Sequence, residues 1–174
     1  SYAQFGALAA RLSAFLRAHG LRPAERMGLL SGNRWQAVVA HFAVAATRAV
    51  VLNVNTRLAP PGLAGIFGDA TPAWLLLEDG LASPVAQALE TSGLAPSLLW
   101  LPCGAPSGAP SDAAAAAARA SYRWDDDVMR NERRTAAAAD ADGDAAAEEG
   151  YQMYYTSGTT GTPKGVLLSV ANVM

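Results

Sequence analysis

Three features place this chain among α/β proteins, with βα units forming a mostly parallel sheet that carries helices on both faces. Its strand-length apolar runs are continuous rather than alternating, as in strands buried on both sides. Segments with apolar residues at helical spacing lie between those runs. The two kinds of segment follow one another in turn, which is the order that βα units produce.

The elements can be justified one after another. Phe5, Leu8, Ala9, Leu12, Phe15 and Leu16 recur at steps of three and four, so a first helix shows one apolar face, and His19-Gly20 supplies its stop. Residues 26–30, RMGLL, form a short apolar strand broken at Ser31-Gly32-Asn33. Trp35, Val38, Val39, Phe42 and Ala46 resume the helical period, and residues 49–54 are the next strand. Pro60-Pro61 opens a short helix through Phe67, since proline suits the first helical turn. Residues 74–77, WLLL, are a buried-type strand, residues 84–89 a helix, and residues 98–101, LLWL, a further strand. Residues 1–103 are therefore read as the α/β part of one domain.

Residues 104–149 differ in kind. Ala, Asp, Gly, Ser and Arg dominate, with a six-alanine run at 113–118 and few bulky apolar residues beyond Tyr122, Trp124, Val128 and Met129. Ordering a chain costs roughly 1–2 kcal/mol per residue, and so little apolar surface does not offset it. The segment is read as a low-complexity, exposed insertion, mostly disordered. Its charge run, Asp125-Asp126-Asp127 with Arg130, Arg133 and Arg134, is read as a solvated face rather than a metal or phosphate site. Residues 150–174 return to the same domain as strand, Gly-rich loop and strand.

Composition limits the function classes. The 174 residues suit one compact domain, and 51% hydrophobic with 16% charged residues allow a sizeable core. A net charge of −2, with 13 dispersed Lys and Arg, does not suit a nucleic-acid partner. Cys103, the sole cysteine, rules out a disulfide or a cysteine metal cluster within the chain and reads as a small apolar residue. His19 and His41 stand alone on helical patterns without a second ligand at i+4, so both are read as structural. No apolar run nears the ~18 residues that a membrane span needs. The chain starts at Ser1 with no leader pattern, so it is expected to be a piece of something longer, and its compartment is not readable.

The chemistry concentrates at residues 155–166, YTSGTTGTPKGV. Gly158, Gly161 and Gly165 lack a Cβ, which frees the backbone for positive φ and lets amides approach a ligand. Thr156, Ser157, Thr159, Thr160 and Thr162 supply five hydroxyls, and Lys164 a mobile cation just after the stiffening Pro163. Hydroxyls, exposed amides and one ammonium converge on a polyphosphate. By composition alone a Gly/Ser/Thr linker stands beside that reading, although a linker has no need of a lysine fixed between Pro and Gly. The Walker loop does not fit, because Pro163 precedes the lysine, Gly165 follows it and a strand comes next. No G-x-G-x-x-G follows a strand.

In order and spacing, residues 155–166 resemble the phosphate loop of the adenylate-forming (AMP-binding) superfamily: acyl-CoA synthetases, peptide-synthetase adenylation domains and luciferases. Residues 1–5 with the helix after them, residues 27–33 and residues 49–58, ending Asn55-Thr56-Arg57-Leu58, resemble the same family's opening segments, most closely those of acyl-CoA synthetases. The likeness covers residues 1–101 and 151–174. Two positions depart from it: Arg48 stands where relatives usually have Gly, implying a changed turn, and Val170 where many have His, implying a changed helix entry.

The resemblance implies an N-terminal part of an AMP-binding domain. It implies ATP-dependent conversion of a small-molecule carboxylic acid to acyl-AMP and then acyl-CoA, with ATP, Mg²⁺ and coenzyme A as companions. Thr156, Ser157, Gly158, Thr159, Thr160, Gly161 and Lys164 are the expected phosphate-binding residues. No catalytic residue and no metal ligand is assigned within the chain, because the family's other motifs lie downstream of this loop. The fragment alone is expected to be inactive and its fold compromised. A carrier-protein acceptor and a non-catalytic remnant remain as alternatives, and the acid and the oligomeric state are unassigned.

Overall fold

Ser1 opens the first helix as its N-cap: the hydroxyl accepts from Gln4 N at 3.4 Å while the Gln4 side chain accepts from Ser1 N at 2.8 Å. From there the computed structural model, which describes residues 1–101, 118–130, 149–156 and 163–173, runs through five helices and seven strands. In chain order these are α1 (Tyr2–Ala18), β1 (Arg26–Leu30), α2 (Trp35–Ala46), β2 (Val50–Asn53), α3 (Pro60–Ala70) and β3 (Trp74–Glu78). They are followed by α4 (Ala82–Ser92), β4 (Ser97–Leu101), β5 (Ala120–Arg123), a π-helical turn Trp124–Met129, β6 (Gly150–Thr156), β7 (Lys164–Ser169) and α5 (Val170–Val173).

One sheet holds all seven strands in the order β5-β4-β3-β1-β2-β6-β7. Every neighbouring pair is parallel except β6 and β7, which form an antiparallel hairpin. The α/β expectation is met.

The continuous apolar runs now have their cause. Side chains alternate across a strand, so Trp74 and Leu76 of β3 join one core with α1 and α2, while Leu75 and Leu77 join a second core with α3 and α4. β4 divides in the same way, Leu99 and Leu101 to the first and Leu98 and Trp100 to the second. With both faces covered, the central positions of these strands are apolar, and the polar Glu78 and Ser97 stand only at their ends. Gly28 marks the tightest point between them, because a Cβ there would stand 2.6 Å from Leu75 Cδ2.

Part of the segment expected to be an exposed insertion belongs to the fold. Ala120–Arg123 pair with β4 from Ser97 to Trp100, and the following turn buries Trp124 and Val128, each 1% exposed, in the core under α1 and α2. The Trp124 ring meets Trp35 edge-on, centroids 5.9 Å apart. Sheet pairing satisfies the backbone here, and two large side chains supply burial that the composition of the whole segment conceals. Residues 102–117, with Cys103, and 131–148, with Arg133 and Arg134, lie outside the described residues. Asp126 and Asp127 are engaged locally, Asp127 accepting from Arg123 N at 2.6 Å and Asp126 pairing with Arg130 at 2.9 Å.

Arg48 explains the altered turn before β2. Its φ is +61°, a left-handed conformation that glycine adopts without a Cβ penalty. An arginine holds the same turn while its guanidinium pairs with Glu149, just before β6.

Candidate functional site

Parallel pairing brings the carboxyl ends of β1, β2 and β6 to one edge of the sheet, where Asn53 stands beside both Leu29 and Tyr154. Beyond β1 the chain turns into α2 on one face, and beyond β2 into α3 on the other. Connections that leave toward opposite faces open a crevice between their strands, the place where open α/β sheets receive ligands. Here that crevice measures about 980 Å³. The β1–α2 turn (Ser31, Asn33), α2 (His41), the end of β2 (Asn53) and the two ends of the Gly-rich loop (Thr156, Pro163) line it.

Its walls are fixed by contacts between residues far apart in sequence. Glu78, at the end of β3, accepts from Ser31 Oγ and Gly32 N, both at 2.8 Å, and from Arg34 Nε at 2.7 Å. Burial pushes the Glu78 carboxyl up, yet these donors and the Arg34 charge together hold it below the usual glutamate value. His41 Nδ1 lies 2.9 Å from the Ala37 carbonyl, and its Nε2 lies 3.0 Å from Asn53 Oδ1. A neutral ring that donates from Nδ1 has an acceptor at Nε2, and the Asn53 NH₂, otherwise buried without a partner among the described residues, satisfies both groups when it faces the ring. His19 serves packing: Nδ1 lies 2.8 Å from the Phe15 carbonyl and the ring contacts Phe15 and Tyr122.

Of the expected phosphate-binding residues, Thr156 ends β6 and Lys164 begins β7, directly opposite one another in the hairpin ladder. Both are exposed, and Lys164 has no acidic partner among the described residues. Ser157, Gly158, Thr159, Thr160 and Gly161 lie outside the described residues. Gly165 corrects its sequence reading. It lies within β7 and is not among the positive-φ glycines; what marks it is close approach, since a Cβ would stand 2.6 Å from Met153 Cε and 3.1 Å from Tyr155 Cζ, so that both side chains would have to shift.

Two site-forming residues escaped the sequence reading. Glu78 organises the β1–α2 turn from 44 to 47 positions away, and Asp69 of α3 accepts from the Tyr155 hydroxyl across 86. Neither sits in a motif. The only sequence signal was polar placement, one at the end of a strand and one at the last turn of a helix. Among the described residues no group of three or more His, Cys, Asp or Glu converges as a metal site, and no helix is long and apolar enough to cross a membrane.

Comparison with known proteins agrees with this architecture. A family model described as AMP-binding enzyme matches residues 1–174. A 3-oxocholest-4-en-26-oate–CoA ligase of Rhodococcus rhodochrous is 30% identical over 167 residues, which are 96% of this chain and 28% of that protein. A long-chain-fatty-acid–CoA ligase of Mycobacterium tuberculosis is 29% identical over 167 residues, 96% of this chain and 29% of that protein. The ATP-bound structure of MatB from Rhodopseudomonas palustris superposes with a TM-score of 0.68 at 27% identity, covering 98% of this chain and 29% of that one. The chain thus spans less than a third of the length of the curated relatives it matches.

Proposed function

The chain belongs to the AMP-binding enzyme family, and on that premise we propose that the protein containing it activates a carboxylic acid with ATP and passes the acyl group to coenzyme A. The observation that carries this reading is the family match over the whole chain, joined to a loop whose two ends open onto the crevice at the carboxyl edge of the sheet. Relatives named as CoA ligases favour coenzyme A over a carrier protein as acceptor, and their names favour medium- or long-chain and steroid-derived acids.

In the first step a carboxylate oxygen attacks the α-phosphorus of ATP. The bond from that phosphorus to the bridging oxygen breaks, and pyrophosphate leaves with the electron pair. In the second, the coenzyme A sulfur attacks the acyl carbon, AMP departs and the thiol proton is released. This chain's contribution belongs to the first step. The Thr156 hydroxyl and the Lys164 ammonium, with Ser157, Gly158, Thr159, Thr160 and Gly161 between them, hold the β- and γ-phosphates and offset the charge that grows on the leaving pyrophosphate. Donors fixed in advance at a developing anion are worth roughly 2–4 kcal/mol each.

The family also implies Mg²⁺. The described residues do not fit a protein cage for it: the crevice wall carries Asn, Ser, Thr and His rather than a free carboxylate, and Glu78 is taken up by three donors. No step is assigned to the ion through this chain.

The test is ATP–pyrophosphate exchange by the whole enzyme over a panel of fatty and aryl acids. Replacing Lys164, Thr159 and Thr160 together by Ala is expected to lower exchange at least a hundredfold. Undiminished exchange contradicts the assignment, and robust exchange by residues 1–174 alone contradicts the expectation that this part is insufficient.

A further inference from the structure

Tyr155 occupies the last rung of β6 before Thr156, and three contacts with two residues, Gly165 and Asp69, define its position. Its backbone lies opposite Gly165, one rung from the Thr156–Lys164 pair. Its hydroxyl donates to Asp69 Oδ2 on the last turn of α3. Its ring lies across Gly165 so closely that a Cβ there would fall 3.1 Å from Cζ and 3.2 Å from the phenol oxygen. The ring and Met153 also pack against the core beneath α3 and α4. Burial first, and then the Asp69 carboxylate, push the phenol pKa well above its ordinary value, so the hydroxyl remains a donor across the neutral range.

The hairpin has need of such an attachment. β7 is the edge of the sheet, bonded to β6 alone, and it exposes Val166 and Leu167. Among the described residues, the loop-proximal end of the hairpin is joined to the body of the domain through the β2–β6 pairing and through this phenol. The β2–β6 register ends at Tyr154, two positions short of Thr156.

We propose that Tyr155 is a positioning residue for the terminal phosphates of the nucleotide: α3 holds the phenol through Asp69, the phenol clamps Gly165, and that rung sets where Thr156 and Lys164 stand. The inference rests on the phosphate reading of the loop. It differs from simple stabilisation of the hairpin, because a positioning device acts on the β- and γ-phosphates and leaves AMP alone.

The ratio of the dissociation constants for AMP and for the Mg²⁺ complex of adenosine 5′-(β,γ-imido)triphosphate tests it, measured calorimetrically on the whole enzyme. Lys164→Ala should reduce the preference for the triphosphate about tenfold, as loss of one charge-assisted contact does. Tyr155→Phe, which keeps the ring, and Asp69→Ala, which leaves Tyr155 untouched, should each reduce it about tenfold with AMP affinity unchanged. Asp69→Asn, whose amide oxygen still accepts from the phenol, should restore the wild-type ratio. If Lys164→Ala lowers the ratio while Tyr155→Phe and Asp69→Ala leave it intact, or weaken both nucleotides alike, the positioning role is overturned and the phosphate reading survives. An unchanged ratio in Lys164→Ala overturns both.

Discussion

Replacing Trp124 with Ala asks whether the Ala-rich stretch carries part of the core. Trp124 is 1% exposed and packs with Val39, Val128 and the α1 side chains in the core on that face of the sheet. Truncation of a buried aromatic to Ala costs roughly 3–5 kcal/mol. The indole N–H has no hydrogen-bond partner among the described residues, so deleting it relieves roughly 1 kcal/mol of that loss. The expected net cost is about 3 kcal/mol, at the lower end of the usual range. In the whole enzyme, where the cooperative unit that holds Trp124 is of about 150–250 residues, each kcal/mol moves Tm by roughly 2–4 °C, so Trp124→Ala should lower that transition by about 6–12 °C. Thermal unfolding followed by near-ultraviolet circular dichroism gives the value, and Asp125→Ala, at an exposed neighbour, serves as the control. A fall in Trp124→Ala no larger than the control's would refute the packing argument.

Arg48 offers a test of opposing terms. Arg48→Gly relieves a left-handed backbone by about 1 kcal/mol but loses the half-exposed Glu149 pair, worth at most about 1 kcal/mol, so its urea midpoint should stay near wild type. Arg48→Ala loses the pair and keeps the strain, and it should fall below both. Glu78 predicts a pH dependence. Its folded pKa lies below the ordinary glutamate value of 4.5, so its contribution is present above that value and is lost as pH falls through the lowered folded one. Denaturation midpoints measured down the acid range should therefore decline less steeply in Glu78→Gln, from a lower starting stability of about 2 kcal/mol less, because Ser31, Gly32 and Arg34 lose a charged acceptor.

How far the sequence could be read followed from how local each cause is. β3 and β4 were legible because burial on both faces leaves an unbroken apolar run, and α3 because Pro60 marks its first turn. Their ends were less so: α3 continues past Phe67 to Ala70, where Thr71 takes a left-handed conformation that its sequence does not announce. β5 was missed for a physical reason. Its residues are half exposed, and the backbone of β4, rather than an apolar pattern of its own, provides the pairing. The Trp124 and Val128 spacing of four was the available signal, diluted by alanines on either side. At the site, the loop was legible as a motif, but its support was not. The Asp69–Tyr155 and Glu78–Ser31 contacts join residues dozens of positions apart, and the close approach of Met153 and Tyr155 to Gly165 exists only once β6 and β7 are paired.

The most direct test of the account is to ask where the end of the triphosphate lies. An ATP analogue with a photoreactive aryl azide on the γ-phosphate, activated in the whole enzyme and mapped by peptide mass spectrometry, should label residues between Tyr155 and Val166, with the labelling suppressed by ATP and by pyrophosphate. Labelling confined to another part of the protein, or labelling here that saturating pyrophosphate leaves unchanged, would contradict it.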